Sequence, residues 1–349
     1  MLAYRIPRHG QAKDHRPSRE KRRITIGENI GPQLPLELYH HIIGFIAHEE
    51  IRTLRSLALV SRSLQPEAES HLYHTLRFSN RKLPDALLRA LISSSRRASY
   101  VRRIWIRVSV CNSLLLRDAL QHLFNLISLS LEGYRPIDKI LLSSCHFPRL
   151  EAFEWVGLDD ESVYMKFFEA HPQLLDVHVE WPGATVVTPN ILPNVRTVSG
   201  SWNSLRMLLP GRKITKVKAD AGEGVVRRPT EKGPFPSVHT FFCVGSIPIP
   251  KVLELFPHVE VLKLQTICIT ADIVPQLCQA QFLTDLTLGG QLGKRVYQID
   301  RIDLAERLFD SCARLKSVGI RDPVEGAFLF TRFRMEVPIS FEEFWEPYE

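Results

Sequence analysis

The residues to weigh first are those whose types and spacing could carry bond chemistry. His48-Glu49-Glu50-Ile51-Arg52 has the outline of a zinc-hydrolase helix, in which two histidines four apart hold the metal and a glutamate takes the proton. Arg52 stands where the second histidine belongs, and a guanidinium does not ligate zinc. His71 and His74 fall on one helix face, and we expect a surface or partly packed role for them rather than a metal site completed by a cysteine or an acid. Gly289-Gly290-Gln291-Leu292-Gly293-Lys294-Arg295 has the composition of a phosphate loop. Its glycines sit one residue too close, and Arg295 replaces the magnesium-binding hydroxyl, so a strand-end turn is the better reading. Asp159-Asp160-Glu161 supplies acids in a row, which reads as a solvated helix start rather than an acid/base pair. No nucleophile elbow or Cys–His signature occurs. The sequence therefore offers no catalytic residue and leads us to expect neither metal nor cofactor.

The six cysteines, Cys111, Cys145, Cys243, Cys268, Cys278 and Cys312, contain no CxxC pair. In a chain of 349 residues they read as buried reduced thiols rather than a disulfide framework. With no secretory h-region at the start and no apolar run of membrane-spanning length, an intracellular location in cytoplasm or nucleus, away from the membrane, is expected.

Charge is unevenly spread. Of the chain's net +7, the first 32 residues hold +5, from eight cations (Arg5, Arg8, Lys13, Arg16, Arg19, Lys21, Arg22, Arg23) against Asp14, Glu20 and Glu28. The remainder is nearly neutral, which argues against a nucleic-acid groove needing a basic face. Residues 1–31 lack periodicity and read as a disordered basic leader. The run Arg19-Glu20-Lys21-Arg22-Arg23 fits either a nuclear-import signal or a solvated tail.

From Gln33 a pattern appears that must position whatever this chain does. Leu34-Pro35-Leu36-Glu37-Leu38 puts proline in a helix's first turn, where its missing N–H costs nothing. Leu38, Ile42, Ile43, Phe45 and Ile46 then recur at helical spacing. Thr53 is placed to cap a second helix with the stripe Leu54, Leu57, Ala58, Val60 and Leu64, which Pro66 ends or restarts. So small a helical unit, residues 32–78, has too little core to stand alone and calls for a neighbour or a partner.

After an amphipathic helix near 83–95, a short motif recurs: aliphatic, two residues, apolar, one residue, apolar. Copies begin at Val101, Leu126, Leu150, Leu174, Val195 (an incomplete copy, with Val198 alone behind it), Ile214, Val238, Val259, Leu283 and Leu315, at intervals of 19 to 32 residues and mostly 21 to 25. Pro148, Pro172, Pro193, Pro236 and Pro257 each stand two residues ahead of a copy. The period is that of a leucine-rich-repeat solenoid with short parallel strands. A doubly wound α/β domain is the competing reading, weakened by strands of only three to five residues without a glycine-rich turn. Residues 79–322 thus form the repeat array, the polar stretch 220–234 a bulging loop, and 323–349 a cap or an acidic-aromatic tail. The x positions between apolar strand residues point to one surface. They are Trp105, Ser130, Glu154, His178, Phe242, Lys263 and Thr287, of which Trp105, Glu154, His178, Phe242 and Lys263 are the candidates for contacting a target.

The segment from Leu34-Pro35-Leu36-Glu37-Leu38 through Ile42-Ile43 to Leu57-Ala58-Leu59-Val60-Ser61-Arg62-Ser63-Leu64 resembles an F-box, and the repeats behind it resemble those of F-box proteins with leucine-rich repeats. The sequence departs from the family in lacking a tryptophan near Leu64 and in having no regular Asn or Cys in its repeats. The resemblance implies a substrate-recognition adaptor of an SCF-type ubiquitin ligase. Leu34, Pro35, Leu38, Ile42, Ile43, Leu57, Val60 and Leu64 would form or support the surface for a Skp-family adaptor. That adaptor leads to cullin and RING subunits, and the repeats would hold a protein target. A non-catalytic interaction scaffold without ubiquitin transfer is the alternative.

Overall fold

The computed structural model describes residues 35–47, 50–78, 85–107, 112–133, 141–142, 144–157, 161–181, 187–221, 234–245, 247–267, 273–290, 301–322, 326–332 and 334–339. The basic leader, Leu34, His48-Glu49, Cys111, Asp159-Asp160, most of the 220–234 loop, Cys268, the glycine stretch from Gln291 and the C-terminal peptide Phe341–Glu349 lie outside them.

Three helices open the described chain: α1 (Leu36–Ala47), α2 (Ile51–Val60) and α3 (Gln65–His74). Helix α2 begins two residues before Thr53, so Thr53 is not its cap. Its hydroxyl instead donates back to the Glu50 carboxylate from inside the first turn. Pro66 restarts the chain as α3, sitting in the first turn where its lost N–H is harmless. The three helices pack on one another around Ile43, Leu54 and Ala68, all at most 2% exposed. Those three side chains are not part of the large core that starts at Leu76.

Behind them runs a sheet of thirteen strands in which every neighbour in space is the neighbour in sequence. Strands β1 (Thr75–Phe78), β2 (Arg103–Arg107), β3 (Ser128–Glu132), β4 (Ala152–Val156), β5 (Asp176–Val179), β6 (Thr197–Ser201), β7 (Lys216–Ala221), β8 (Thr240–Gly245), β9 (Val261–Ile267), β10 (Asp285–Gly290) and β11 (Ser317–Asp322) are all parallel. Returning helices include α4 (Asp85–Ser93), α5 (Ser95–Tyr100), α6 (Ser113–Leu120), α7 (Glu161–Ala170), α8 (Trp202–Leu208), α9 (Ile249–Leu255), α10 (Ile273–Leu277) and α11 (Arg301–Ser311). This is an α/β solenoid-like arrangement. Two further strands, β12 (Gly326–Thr331) and β13 (Arg334–Ile339), add antiparallel to β11, where the sequence reading placed no strand.

The repeat has a physical cause. The first aliphatic of each copy (Val101, Leu126, Leu150, Leu174, Val195, Ile214, Val238, Val259, Leu283, Leu315) and the apolar residues of its strand are buried, so each unit offers three side chains to one continuous core, except the Val195 unit, where Gly200 takes the third place and only Val195 and Val198 contribute. Just ahead of the strands, one carbonyl per unit accepts two N–H groups from the next unit. Arg102 O takes Ile127 and Ser128, Ile127 O takes Glu151 and Ala152, Glu151 O takes Leu175 and Asp176, and the ladder continues to Thr284 O with Lys316 and Ser317. The turns that regular repeats close with one residue type are closed here by several. Asn125 Nδ2, Gln173 Nε2 and Asn194 Nδ2 each donate to a carbonyl of the preceding unit, and His258 Nδ1 bonds Pro236 O in the same place. His171, fully buried, donates from Nδ1 to Phe167 O at 2.7 Å and accepts the Phe147 N–H on Nε2 at 3.0 Å. Burial and the nearby His146 hold its pKa below the ordinary 6.5, although the bond to Phe167 O opposes them.

Helix module and sheet are tied by Glu69 of α3. Its carboxylate, 6% exposed, takes Arg96 at 2.6 Å and Arg97 at 2.9 Å from α5, and Gln65 at 3.0 Å. Burial pushes the carboxyl pKa up, but hydrogen bonds from Gln65 and Arg97 and the two arginine charges outweigh it, leaving it below 4.5.

Candidate functional site

Two surfaces stand out, one on the helices and one on the sheet. On α1, Leu38, Ile42 and Phe45 follow at steps of four and three and so share a face. They are 45%, 47% and 81% exposed. At the far end of α2, Leu59 and Val60 are 87% and 83% exposed, and Ile51 at its start is also exposed. Large apolar residues this open, on helices whose other side is packed, mark an interaction surface rather than a core defect.

The residues named from the sequence divide accordingly. Pro35, Leu38, Ile42 and Val60 are exposed, Leu57 and Leu64 are half-buried, and Leu34 lies outside the described residues. Ile43 is a correction to any contact role: at 1% exposure it belongs to the helices' own core. On α1 and α2, Phe45, Ile51 and Leu59 are described residues with exposed large apolar side chains that sequence reasoning did not select. Phe45 was legible as part of the stripe. Leu59 lies off the stripe of α2, and that position was the signal for its exposure.

Histidines and an acid do meet in this module, contrary to the expectation for His71. Glu67 Oε1 lies 2.7 Å from His40 Nδ1 and 3.3 Å from His71 Nε2, which ties α1 to α3. His74 is not in that contact; it bonds Thr75. No group of three ligating side chains able to hold a metal ion occurs among the described residues.

On the sheet, pairing puts the seven x-position residues in one row. Trp105 lies opposite Ser130, Ser130 opposite Glu154, and Glu154 opposite His178. Ser199 and Lys218 continue the row to Phe242, Lys263 and Thr287. Trp105 and Phe242 are half-buried between buried neighbours, so both lie on the face opposite the core. Lys263 is only 6% exposed; burial and Lys216 lower its pKa while Asp285 raises it.

At the centre of the row, Ser130 donates to Glu154 Oε2 at 2.7 Å, and His178 Nδ1 lies 3.3 Å from Glu154 Oε1. The His178 hydrogen bond is the largest influence on Glu154. Against desolvation, and with Ser130 and the His178 and Lys218 charges, it keeps the carboxyl below its ordinary range. The carboxylate stands between hydroxyl and imidazole, so the imidazole is not placed to take the serine proton. The group is one acceptor carboxylate held between two donors. Its neighbour Asp176 is shifted upward by burial, although Lys218, Lys216 and His178 oppose the shift.

Two cavities indent this face. One of about 710 Å³ runs over β1 to β5 and is lined by Arg77, Arg103, Trp105, Glu151, Glu154 and Asp176 among others. The second, about 450 Å³, lies over β3 to β8 between Glu154, His178, Lys218 and Phe242. Among the described residues, no helix is long and apolar enough to cross a membrane. No protein-family model matches the chain, and no curated protein matches it.

Proposed function

We propose that this chain is the substrate-recognition subunit of an SCF-type ubiquitin ligase. Its N-terminal helices would be an F-box that binds a Skp-family adaptor, and through it cullin and RING subunits. Its sheet would be a degenerate leucine-rich-repeat array that holds a protein target. The observation that carries the reading is the set of open apolar side chains on α1 and α2, in a small helical unit that begins with Pro35-Leu36-Glu37-Leu38. Its own core of Ile43, Leu54 and Ala68 is too small to account for so many apolar residues, and a partner subunit would cover the remainder. Function is then positioning: the target is held near a charged ubiquitin carrier elsewhere in the assembly, which raises the local concentration of its lysines.

The test is co-expression of the full chain with a Skp-family adaptor and a cullin. A stoichiometric complex containing both supports the ligase reading, and adaptor without cullin would point to a scaffold. A chain that stays monodisperse and free of adaptor at micromolar concentration overturns the proposal.

A further inference from the structure

The larger cavity on the sheet face has opposite charge at its two ends. At the β1–β2 end stand Arg77 and Arg103, both exposed and neither in an ion pair with any described residue. At the β4–β5 end stand Glu151 and half-buried Asp176, neither in an ion pair with any described residue, the Asp176 carboxylate having Lys216 and Lys218 as electrostatic neighbours. Trp105 stands at the arginine end, on β2 with Arg103 and opposite Arg77 across the strand pair, and Ser128, Ser130 and Ala152 line the cavity between the ends. Glu154 is in the cavity wall but already bonded to Ser130 and His178.

Surface charges usually find each other where reach allows. Here β2 and β5 are three strand spacings apart, about 14 Å at roughly 4.8 Å each, so the two ends do not neutralise one another. A ligand that bridges them needs an anion and a cation separated by that span. An extended peptide advances about 3.3 Å per residue, so the span is about four residues.

We infer that the cavity takes an extended peptide segment of the target that carries a glutamate or aspartate about four residues from an arginine or lysine. The carboxylate pairs with Arg77 and Arg103 beside the Trp105 ring, the cation pairs with Glu151 and Asp176, and the residues between cross Ser128, Ser130 and Ala152 of β3 and β4. A phosphorylated side chain is the competing occupant of the arginine end, and the test below separates it from a carboxylate. This rests on the reading of the sheet face as the target surface, and not on which adaptor binds the helices.

The test is phage selection of fully randomised nine-residue peptides on the immobilised full chain, with adaptor binding measured on the same preparation. Enrichment of acid–base pairs three to five residues apart is expected. Arg77→Glu/Arg103→Glu should lose the acidic preference and bind a synthetic Glu/Arg peptide about tenfold more weakly. Glu151→Lys/Asp176→Lys should lose the basic preference. Replacing the glutamate of that peptide by phosphoserine should not tighten binding. Selection without a charge pair, preferences unmoved by the charge reversals, or tenfold tighter phosphopeptide binding each overturns the inference. Peptides selected as expected by a chain that fails to bind adaptor would sink the ligase proposal and leave this one standing.

Discussion

The exposed helix surface can be separated from folding by one pair of substitutions, Phe45→Gln with Leu59→Gln. Both side chains are more than four-fifths exposed, so in the free chain their replacement removes almost no packing. Glutamine also preserves helix propensity to within a few tenths of a kcal/mol. The expected change in unfolding free energy is below about 0.5 kcal/mol. In the complex the sums differ. Full burial of one such side chain is worth about 1.5–3 kcal/mol, and most of it remains to be gained when a partner covers the surface. Losing both therefore removes about 2–5 kcal/mol, which is roughly thirty- to several-thousandfold in Kd. Ile43→Ala is the counter-case: at 1% exposure it should cost about 2–5 kcal/mol of stability. Urea unfolding followed by circular dichroism measures the first quantity, and titration calorimetry with a Skp-family adaptor measures the second. If the double variant unfolds more than 1 kcal/mol early, these residues are packed and the reasoning about the surface is wrong. If it binds adaptor as tightly as wild type, the complex is not made there.

Two further outcomes follow from buried titratable groups. Glu69→Gln removes a charge that two arginines of α5 and Gln65 converge on. Because both arginines are partly exposed, the expected loss is about 2 kcal/mol, read as earlier urea unfolding and faster proteolysis between α3 and α5; unchanged cleavage there would count against a tie at this junction. His171 is held neutral, its folded pKa below the 6.5 of the unfolded chain, so stability is fully present above 6.5 and declines as the pH falls below that value. The melting temperature should therefore drop on acidification from pH 7, less steeply in His171→Gln, and equal slopes in the two proteins would refute that assignment.

What could be read from the residues was whatever is local and repeated. An apolar-x-apolar run after a buried aliphatic defines a strand and its faces wherever it occurs, so the row from Trp105 to Thr287 could be placed without coordinates. The bonds that close each turn could not, because Asn125, Gln173, Asn194 and His258 share a role but no residue type, and the pattern exists only as donors to the carbonyl one unit earlier. Ile43 and Phe45 illustrate the other limit. Both belong to one helical stripe, yet which side packs on α2 and α3 depends on the crossing of helices, which periodicity does not encode. Strands β12 and β13 fall outside the repeat period, and although Gly326–Thr331 is apolar and β-prone, no further copy of the motif marked it as part of the sheet. The unpaired charges at Arg77 and Asp176 become meaningful only when four strands of spacing separate them in space.

The strict agreement of spatial and sequence order in the sheet means that no long loop of chain must close before neighbouring strands can meet. Folding can start at any well-packed stretch, such as the aromatic group of Phe153, Phe167, Phe168 and Tyr164, and spread outward one unit at a time. Damage would be equally parochial. A lesion in one turn should weaken the turns beside it and leave distant ones intact, much as a row of books sags only where one is pulled out.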